Sequence, residues 1–349
     1  MDNERKTIRL RAGEPLDLVR AAALLRDGGL VAFPTETVYG LGANALSRAA
    51  VAKIFEAKGR PAWDPLIVHV SDEKMLQQVA SVSEGARGLM NAFWPGPLTL
   101  LLPRLPHVPD AVTAGRSLVG IRMPRHAVAL ALIREAGVPL AAPSANRFGH
   151  TSPTSAAHVL DDLEGRIDAV LDGGETEIGV ESTVVELAGE GVILYRPGAV
   201  TMSMLEFVVG AGNVRMYRGT PATDQPIASL PSPGVGIRHY APRARLVLVQ
   251  VDHLDVASKK GSLISAVGHA LALDEAVGVM LPDRWSCNSE SRLFSWGPWD
   301  APAVLAHRLF AGLRALDETG VATIVCPVPQ GEGLAAAVRD RLEKAARAK

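Results

Sequence analysis

Lys58-Gly59-Arg60-Pro61-Ala62-Trp63-Asp64-Pro65-Leu66-Ile67-Val68-His69-Val70 carries the chain out of a helix and into a strand. Upstream, Ser47 is a candidate N-cap for a helix that ends near Lys58. Downstream, 65–70 is an apolar run interrupted only by His69, the pattern of a buried strand. The same order recurs on both sides. Residues 14–26 read as an amphipathic helix stopped by Gly28-Gly29, and 30–33 follow as a strand. Ser71 is expected to cap a further helix, with Asp72 and Glu73 in its first turn, where the helix dipole favours acids. Strands are predicted at 98–102, 118–123, 138–142, 183–187 and 192–196. Helices and strands that alternate in this way point to an α/β protein.

The two cations at that helix end pair a point charge with a planar fork, a combination suited to phosphate oxygens. No acidic neighbour faces them within Lys58-Gly59-Arg60-Pro61, so both are expected to be free for an anionic ligand. The plain alternative is that they complement the negative end of the helix dipole.

At 349 residues the chain is long enough for two domains. A formal net charge of −1 argues against a protein whose main task is gripping nucleic acid. Cys287 and Cys326 stand far apart with no Cys/His grouping, which excludes a disulfide scaffold or a zinc ribbon as the organising element. The polar start, Met1-Asp2-Asn3-Glu4-Arg5-Lys6, lacks an apolar signal core, and no apolar run is long enough to span a membrane. A cytoplasmic protein is expected. From Arg218 to Pro242 the chain is rich in Pro and Gly and has little periodicity, the composition of a linker. Beyond it, strands at 244–251, 276–281 and 321–326 and helices at 301–319 and 334–348 imply a smaller α/β domain. The expected division is 1–217, a linker at 218–242 that would fold over the site as a lid, and 243–349.

Two segments carry hydroxyls to strand ends. Phe33-Pro34-Thr35-Glu36-Thr37-Val38-Tyr39-Gly40-Leu41-Gly42 breaks a strand and then sets hydroxyls and a carboxylate before two glycines. It reads either as a place to hold a polar small molecule or as a turn in which Thr37 caps a short helix. It has neither the Walker spacing nor a dinucleotide fingerprint. In Pro139-Leu140-Ala141-Ala142-Pro143-Ser144-Ala145-Asn146, an extended backbone would put the Ser144 and Asn146 side chains on one face. They serve as neutral donors to phosphate or ribose oxygens, or they open a turn. Arg122 ends the apolar stretch Val119-Gly120-Ile121-Arg122, and a buried arginine needs an anionic partner from the protein or from a ligand. His69 is either a hydrogen-bonded core residue or a ligand contact. No Gly-x-Ser-x-Gly elbow or Cys/His pair supports a hydrolase. Hydroxyls and cations at several strand ends instead suggest a substrate crevice outside an open sheet.

Taken in order, these segments resemble the threonylcarbamoyl-AMP synthase family in its long form, a YrdC-like domain joined by a linker to a smaller domain. The resemblance runs through most of 15–242. It rests on the Pro34–Leu41 segment, Lys58 and Arg60 with Ser144 and Asn146, Trp94-Pro95-Gly96-Pro97-Leu98-Thr99, Glu181-Ser182-Thr183 and Arg196-Pro197-Gly198. Ser232-Pro233-Gly234 and His239-Tyr240-Ala241-Pro242 match the long-form linker. The resemblance implies a YrdC-like open, twisted, mixed sheet and a Rossmann-like second domain. It implies a reaction of L-threonine, bicarbonate or carbon dioxide, and ATP that gives threonylcarbamoyl-AMP and pyrophosphate. The adenylate would pass to a separate tRNA threonylcarbamoyltransferase, with weak or indirect tRNA contact. Thr35, His69, Arg122, Ala142 and Ser182 would hold threonine. Lys58, Arg60, Asp64, Leu118, Ser144, Asn146, Ser152, Arg196 and Tyr240 would line ATP, with Lys58 and Arg60 catalytic. Magnesium would come with ATP and have no direct protein ligands. Asp64 stands where the family usually has Asn, and a carboxylate there repels triphosphate unless it helps hold magnesium. Leu118 stands where Thr is common, so its contact would come from backbone. The alternatives are an RNA-binding module and another enzyme that forms a carbamoyl-adenylate.

Overall fold

The computed structural model describes residues 6–189, 191–219, 230–232, 239–251, 256–273, 276–287 and 291–347. Most of the Pro/Gly-rich stretch at 218–242, including Pro221, Pro226, Pro233 and Gly234, lies outside the described residues, as do Met1–Arg5 and the end of the last predicted helix. The chain divides into two compact units. One comprises Met1–Phe148, Pro153–Glu177 and Glu181–Gly236, and the other Gly149–Ser152, Ile178–Val180 and Ile237–Lys349.

The first unit contains eleven strands among the described residues. In chain order these are β1 (Ile8–Arg11), β2 (Val31–Phe33), β3 (Gly40–Asn44), β4 (Ile67–His69), β5 (Leu98–Pro103), β6 (Leu118–Arg122), β7 (Leu140–Ala141), β8 (Ala169–Asp172), β9 (Thr183–Ala188), β10 (Gly191–Arg196) and β11 (Val214–Met216). They form one sheet in the order β1-β8-β2-β3-β7-β4-β6-β5-β9-β10-β11. The pairings β4–β6 and β5–β9 are parallel, whereas β3–β7, β4–β7 and β5–β6 are antiparallel, so the sheet is mixed as expected. The central strands β2 and β4 are buried throughout, which is why they read as apolar runs without alternation. The edge-side strand β10 alternates between buried and half-buried positions.

Local chemistry sets the helix ends. The Ser47 side chain accepts from the backbone N–H of Ala50 and starts the helix Arg48–Lys58. Gly59 closes it in the left-handed region at φ 62°, where a side chain would be strained. The helix Pro15–Arg26 begins on Glu14 without a side-chain cap. Ser71 is not the cap of the following helix. Asp72 takes that place, because its carboxylate accepts from the Met75 N–H at 2.8 Å while the Ser71 hydroxyl donates to Asp72.

The second unit holds β12 (Arg245–Gln250), β13 (Val277–Pro282), β14 (Arg292–Gly297) and β15 (Thr323–Val328) in an all-parallel sheet of order β12-β15-β13-β14. The helix Val256–Leu271 follows β12, Pro302–Glu318 follows β14 and Leu334–Ala346 follows β15, whereas β13 leads to β14 with no described helix between them. Strand β14 was not among the expected strands. It pairs on one side only, and its first two residues are exposed, so its sequence lacks a buried run. No described helix is long and apolar enough to cross a membrane.

Candidate active site

Lys58 is the last residue of its helix and is buried. Its Nζ donates to the Ser144 carbonyl at 2.6 Å and to the Asn146 carbonyl. The Ser144–Asn146 segment therefore meets the lysine through backbone oxygens, and the Asn146 side-chain amide donates to the Arg147 carbonyl at 2.7 Å. The segment is set against β3 by a bridge between Gly40 and Ser144 and by the Leu41 N–H on the Pro143 carbonyl. Burial pushes the Lys58 pKa well below the lysine range, helped by Arg60, while Asp162 and Asp64 oppose the shift.

Arg60 is not free. A turn closed by the Asp64 N–H on the Pro61 carbonyl folds the chain back, and Arg60 Nη2 lies 2.9 Å from Asp64 Oδ1. The same guanidinium donates to the Asp64 and Pro65 carbonyls. The carboxylate four residues on, just outside the Lys-Gly-Arg-Pro motif, corrects the expectation of two unpaired cations. Burial raises the Asp64 pKa, and Arg60, Lys58 and Arg196 pull it down. Those four residues thus form one electrostatic cluster. Leu118 begins β6 opposite Pro103 and is half-buried.

A second cluster lies around Arg122. Parallel pairing of β4 and β6 sets His69 in register with Arg122. Arg122 Nη1 donates to the Thr37 hydroxyl at 2.8 Å, Nε donates to the Gly96 carbonyl, and Nη2 lies 2.7 Å from Glu36 Oε1. The protein therefore supplies an anionic partner for Arg122. Thr37 serves this arginine and does not cap a helix, since residues 36–38 form a bend that leads into β3. The Thr35 hydroxyl holds the bend by donating to the Val38 carbonyl and contacting the Thr37 hydroxyl. Burial works to raise the Glu36 pKa, but the close charge of Arg122 and the Arg125 N–H bring it below the usual value. Burial and then Arg122 push His69 down to about 3, so it is neutral at neutral pH.

Ser182 and Arg196 form a neighbouring pair. The Ser182 hydroxyl sits 2.8 Å from that of Thr99, and Arg196 donates to both the hydroxyl and the carbonyl of Ser182. Gly198 makes this turn possible, because a Cβ there would lie 2.5 Å from the Thr183 nitrogen. Ala142 follows β7, donates its N–H to Ile67 and packs beside Gly40. Ser152 and Tyr240 belong to the second unit. There Ser152 is fully buried, and Tyr240 stacks on Phe310 with the Arg341 guanidinium over its ring. Glu36 and Thr99 received no individual site role from the sequence, and Thr37 received only that of a helix cap. The signal for Glu36 was a carboxylate enclosed by hydroxyl residues in the same stretch as Thr35.

Among the described residues, no group of three or more His, Cys, Asp or Glu side chains could hold a metal. Asp64, the carboxylate paired with Arg60, is engaged by that guanidinium, so it does not fit as a protein ligand to magnesium.

Residues 23–198 match the family model described as telomere recombination, and 200–347 match that of the threonylcarbamoyl-AMP synthase C-terminal domain. The threonylcarbamoyl-AMP synthase of Pyrococcus abyssi is 43% identical over 327 residues, which cover 93% of this chain and 92% of that protein. The chain belongs to the threonylcarbamoyl-AMP synthase family. The Bacillus subtilis member is also 43% identical, over 97% of this chain and 95% of its own length. A crystal structure of P. abyssi Sua5 complexed with L-threonine superposes with a TM-score of 0.88 at 40% identity, covering 98% of each chain. Family membership therefore extends through both units of the long form.

Proposed function

We propose that this chain joins L-threonine, carbon dioxide from bicarbonate, and ATP into threonylcarbamoyl-AMP with release of pyrophosphate. The observation that carries this reading is the pairing, within one unit, of a net-positive cluster with a charge-balanced one. Lys58, Arg60 and Arg196 all act on Asp64, and Asp162 also acts on Lys58, so three basic residues meet two carboxylates. Arg122 is matched by Glu36 beside a neutral His69. The first suits a triphosphate and the second an amino acid.

The substrate supplies its own nucleophile. The threonine ammonium gives up two protons to water as its nitrogen bonds to the carbon of carbon dioxide, leaving a carbamate with one N–H. A carbamate oxygen then bonds to the α-phosphorus as the bond to the β-phosphate bridging oxygen breaks. Pyrophosphate carries away that electron pair. The protein aligns the two substrates and offsets charge, with Lys58 and Arg60 catalytic at the phosphates. Ser144, Asn146 and Arg196 line the nucleotide, with Asp64 and the Leu118 backbone at its edge. Thr35, His69, Arg122, Ala142 and Ser182 surround threonine. The assignment of Ser152 and Tyr240 to the nucleotide rests on the family resemblance alone. Magnesium enters as part of the nucleotide substrate, on phosphate oxygens. The adenylate passes to a tRNA threonylcarbamoyltransferase, and the cytoplasm, where ATP and threonine are abundant solutes, is the compartment that fits.

The test is pyrophosphate release from ATP and bicarbonate with each amino acid supplied separately. Release that depends on L-threonine is expected. Release without any amino acid preference, or RNA binding with a steep salt dependence and no ATP turnover, would overturn the reading.

A further inference from the structure

Three polar atoms of the Arg122 cluster are buried without a hydrogen-bond partner among the described residues: Glu36 Oε2, Arg122 Nη2 and His69 Nδ1. The residues that carry them are 1%, 4% and 3% exposed. Arg122 Nη2 lies close to Glu36 Oε1, yet the contact is one of charge and not an aligned N–H bond. Glu36 Oε1 already receives the Arg125 N–H, so Oε2 is the oxygen that is left over. A buried carboxylate oxygen or guanidinium N–H left unmatched is costly, and here an acceptor and a donor are left unmatched in the same ion pair.

The unmet demand has a definite chemistry. Arg122 Nη2, already facing Glu36 Oε1, keeps N–H capacity for a ligand carboxylate oxygen, and Glu36 Oε2 calls for an N–H, best a charged one. His69 is uncharged there, so the ion pair is balanced and a ligand of zero net charge enters without leaving an excess. An α-amino acid zwitterion has both groups one carbon apart. A carboxylate without the amine would satisfy Arg122 and set its charge against an unmatched Glu36.

We propose that Glu36 is the residue that recognises the threonine amine: Oε2 accepts an N–H from the threonine nitrogen while the threonine carboxylate meets Arg122. This rests on the function proposed above. The contact outlasts carbamate formation, because the carbamate nitrogen keeps one hydrogen.

The experiment is a ligand-by-residue cycle on the full chain, by isothermal titration calorimetry without ATP. L-Threonine is compared with 3-hydroxybutanoate of the same C3 configuration, which lacks only the amine. The wild type is expected to prefer threonine by about ten- to hundredfold, the range for a hydrogen bond to a charged group. In Glu36→Gln that preference is expected to collapse to within a few-fold. If Glu36→Gln weakens both ligands by the same factor, Glu36 only holds Arg122 and the proposal is overturned. If the wild type binds no threonine, the function proposed above fails and this assignment fails with it. Should Glu36→Gln not fold, Glu36→Asp keeps the charge on Arg122 but withdraws the oxygen. A reduced preference in that variant supports the assignment, and an unchanged one overturns it.

Discussion

The two charged clusters of the first unit are built on opposite terms. Around Lys58, Nζ is held by two backbone carbonyls, which carry only partial charge, and two carboxylates, Asp64 and Asp162, act among three basic residues. Around Arg122, a full carboxylate stands against one guanidinium, and the neighbouring histidine is neutral. The first arrangement leaves positive charge for a polyanion. The second leaves a dipole, which suits a zwitterion and repels no part of it. Selectivity between two very different substrates thus follows from how each cation is countered inside the fold, more than from the number of cations.

The comparison is broken most severely at Lys58. Lys58→Ala is expected to lower threonine-dependent pyrophosphate release by about 10²–10³-fold, read in a coupled phosphate assay, since one preorganised charge at a reacting phosphate is worth that much. Arg60→Ala removes the partner of a buried carboxylate and is expected to destabilise the unit by about 3–5 kcal/mol in urea unfolding. Arg60→Ala combined with Asp64→Asn should regain most of that stability and none of the activity. Recovery of activity in the double variant would show that Arg60 serves Asp64 and not the nucleotide.

On the amino-acid side the expected effect is one of pH. The His69 pKa falls from 6.5 to about 3 on folding, so between these values the unfolded chain takes up a proton that the folded chain refuses. Stability therefore drops as pH falls through that window, by at most about 1.4 kcal/mol per pH unit from this group. The Glu36 pKa is lowered from 4.5, so the stability it contributes is present above 4.5 and is lost as pH falls through its folded value. Unfolding curves at pH 7, 6 and 5 should show the histidine loss before that of Glu36, and His69→Gln should reduce it, leaving the part due to His126, whose pKa burial also lowers from 6.5. The smallest change is expected for Asp64→Asn, which makes the phosphate side still more positive. A decrease of about three- to tenfold in KM for ATP, with little change in KM for threonine, would sharpen the contrast between the clusters. An unchanged or higher KM for ATP would show that the carboxylate is needed where it stands.

Much of this was legible in the residues themselves. The helix before Lys58 could be placed from Ser47 and Gly59, because caps and left-handed turns are local requirements. The buried strands β2 and β4 declared themselves as apolar runs, whereas the exposed edge strand β14 did not. Ser71 misled because Asp72, one residue on, competes for the same N–H and carries the charge that wins it.

By itself the sequence determined the alternation of helices and strands, the positions where chemistry-bearing residues end a strand, and the family to which those blocks point. These depend on patterns within about ten residues. Tertiary structure alone decided what each cation faces. Thr37 reaches Arg122 across 85 residues of chain, and Lys58 reaches the Ser144 carbonyl across 86. Those meetings are fixed by β3, β7, β4 and β6 lying side by side. Strand order is a global outcome of packing, and local periodicity carries no record of it. Arg122 was marked in the sequence as a charge in need of a partner; that the partner is Glu36, with one oxygen left over, follows from the sheet.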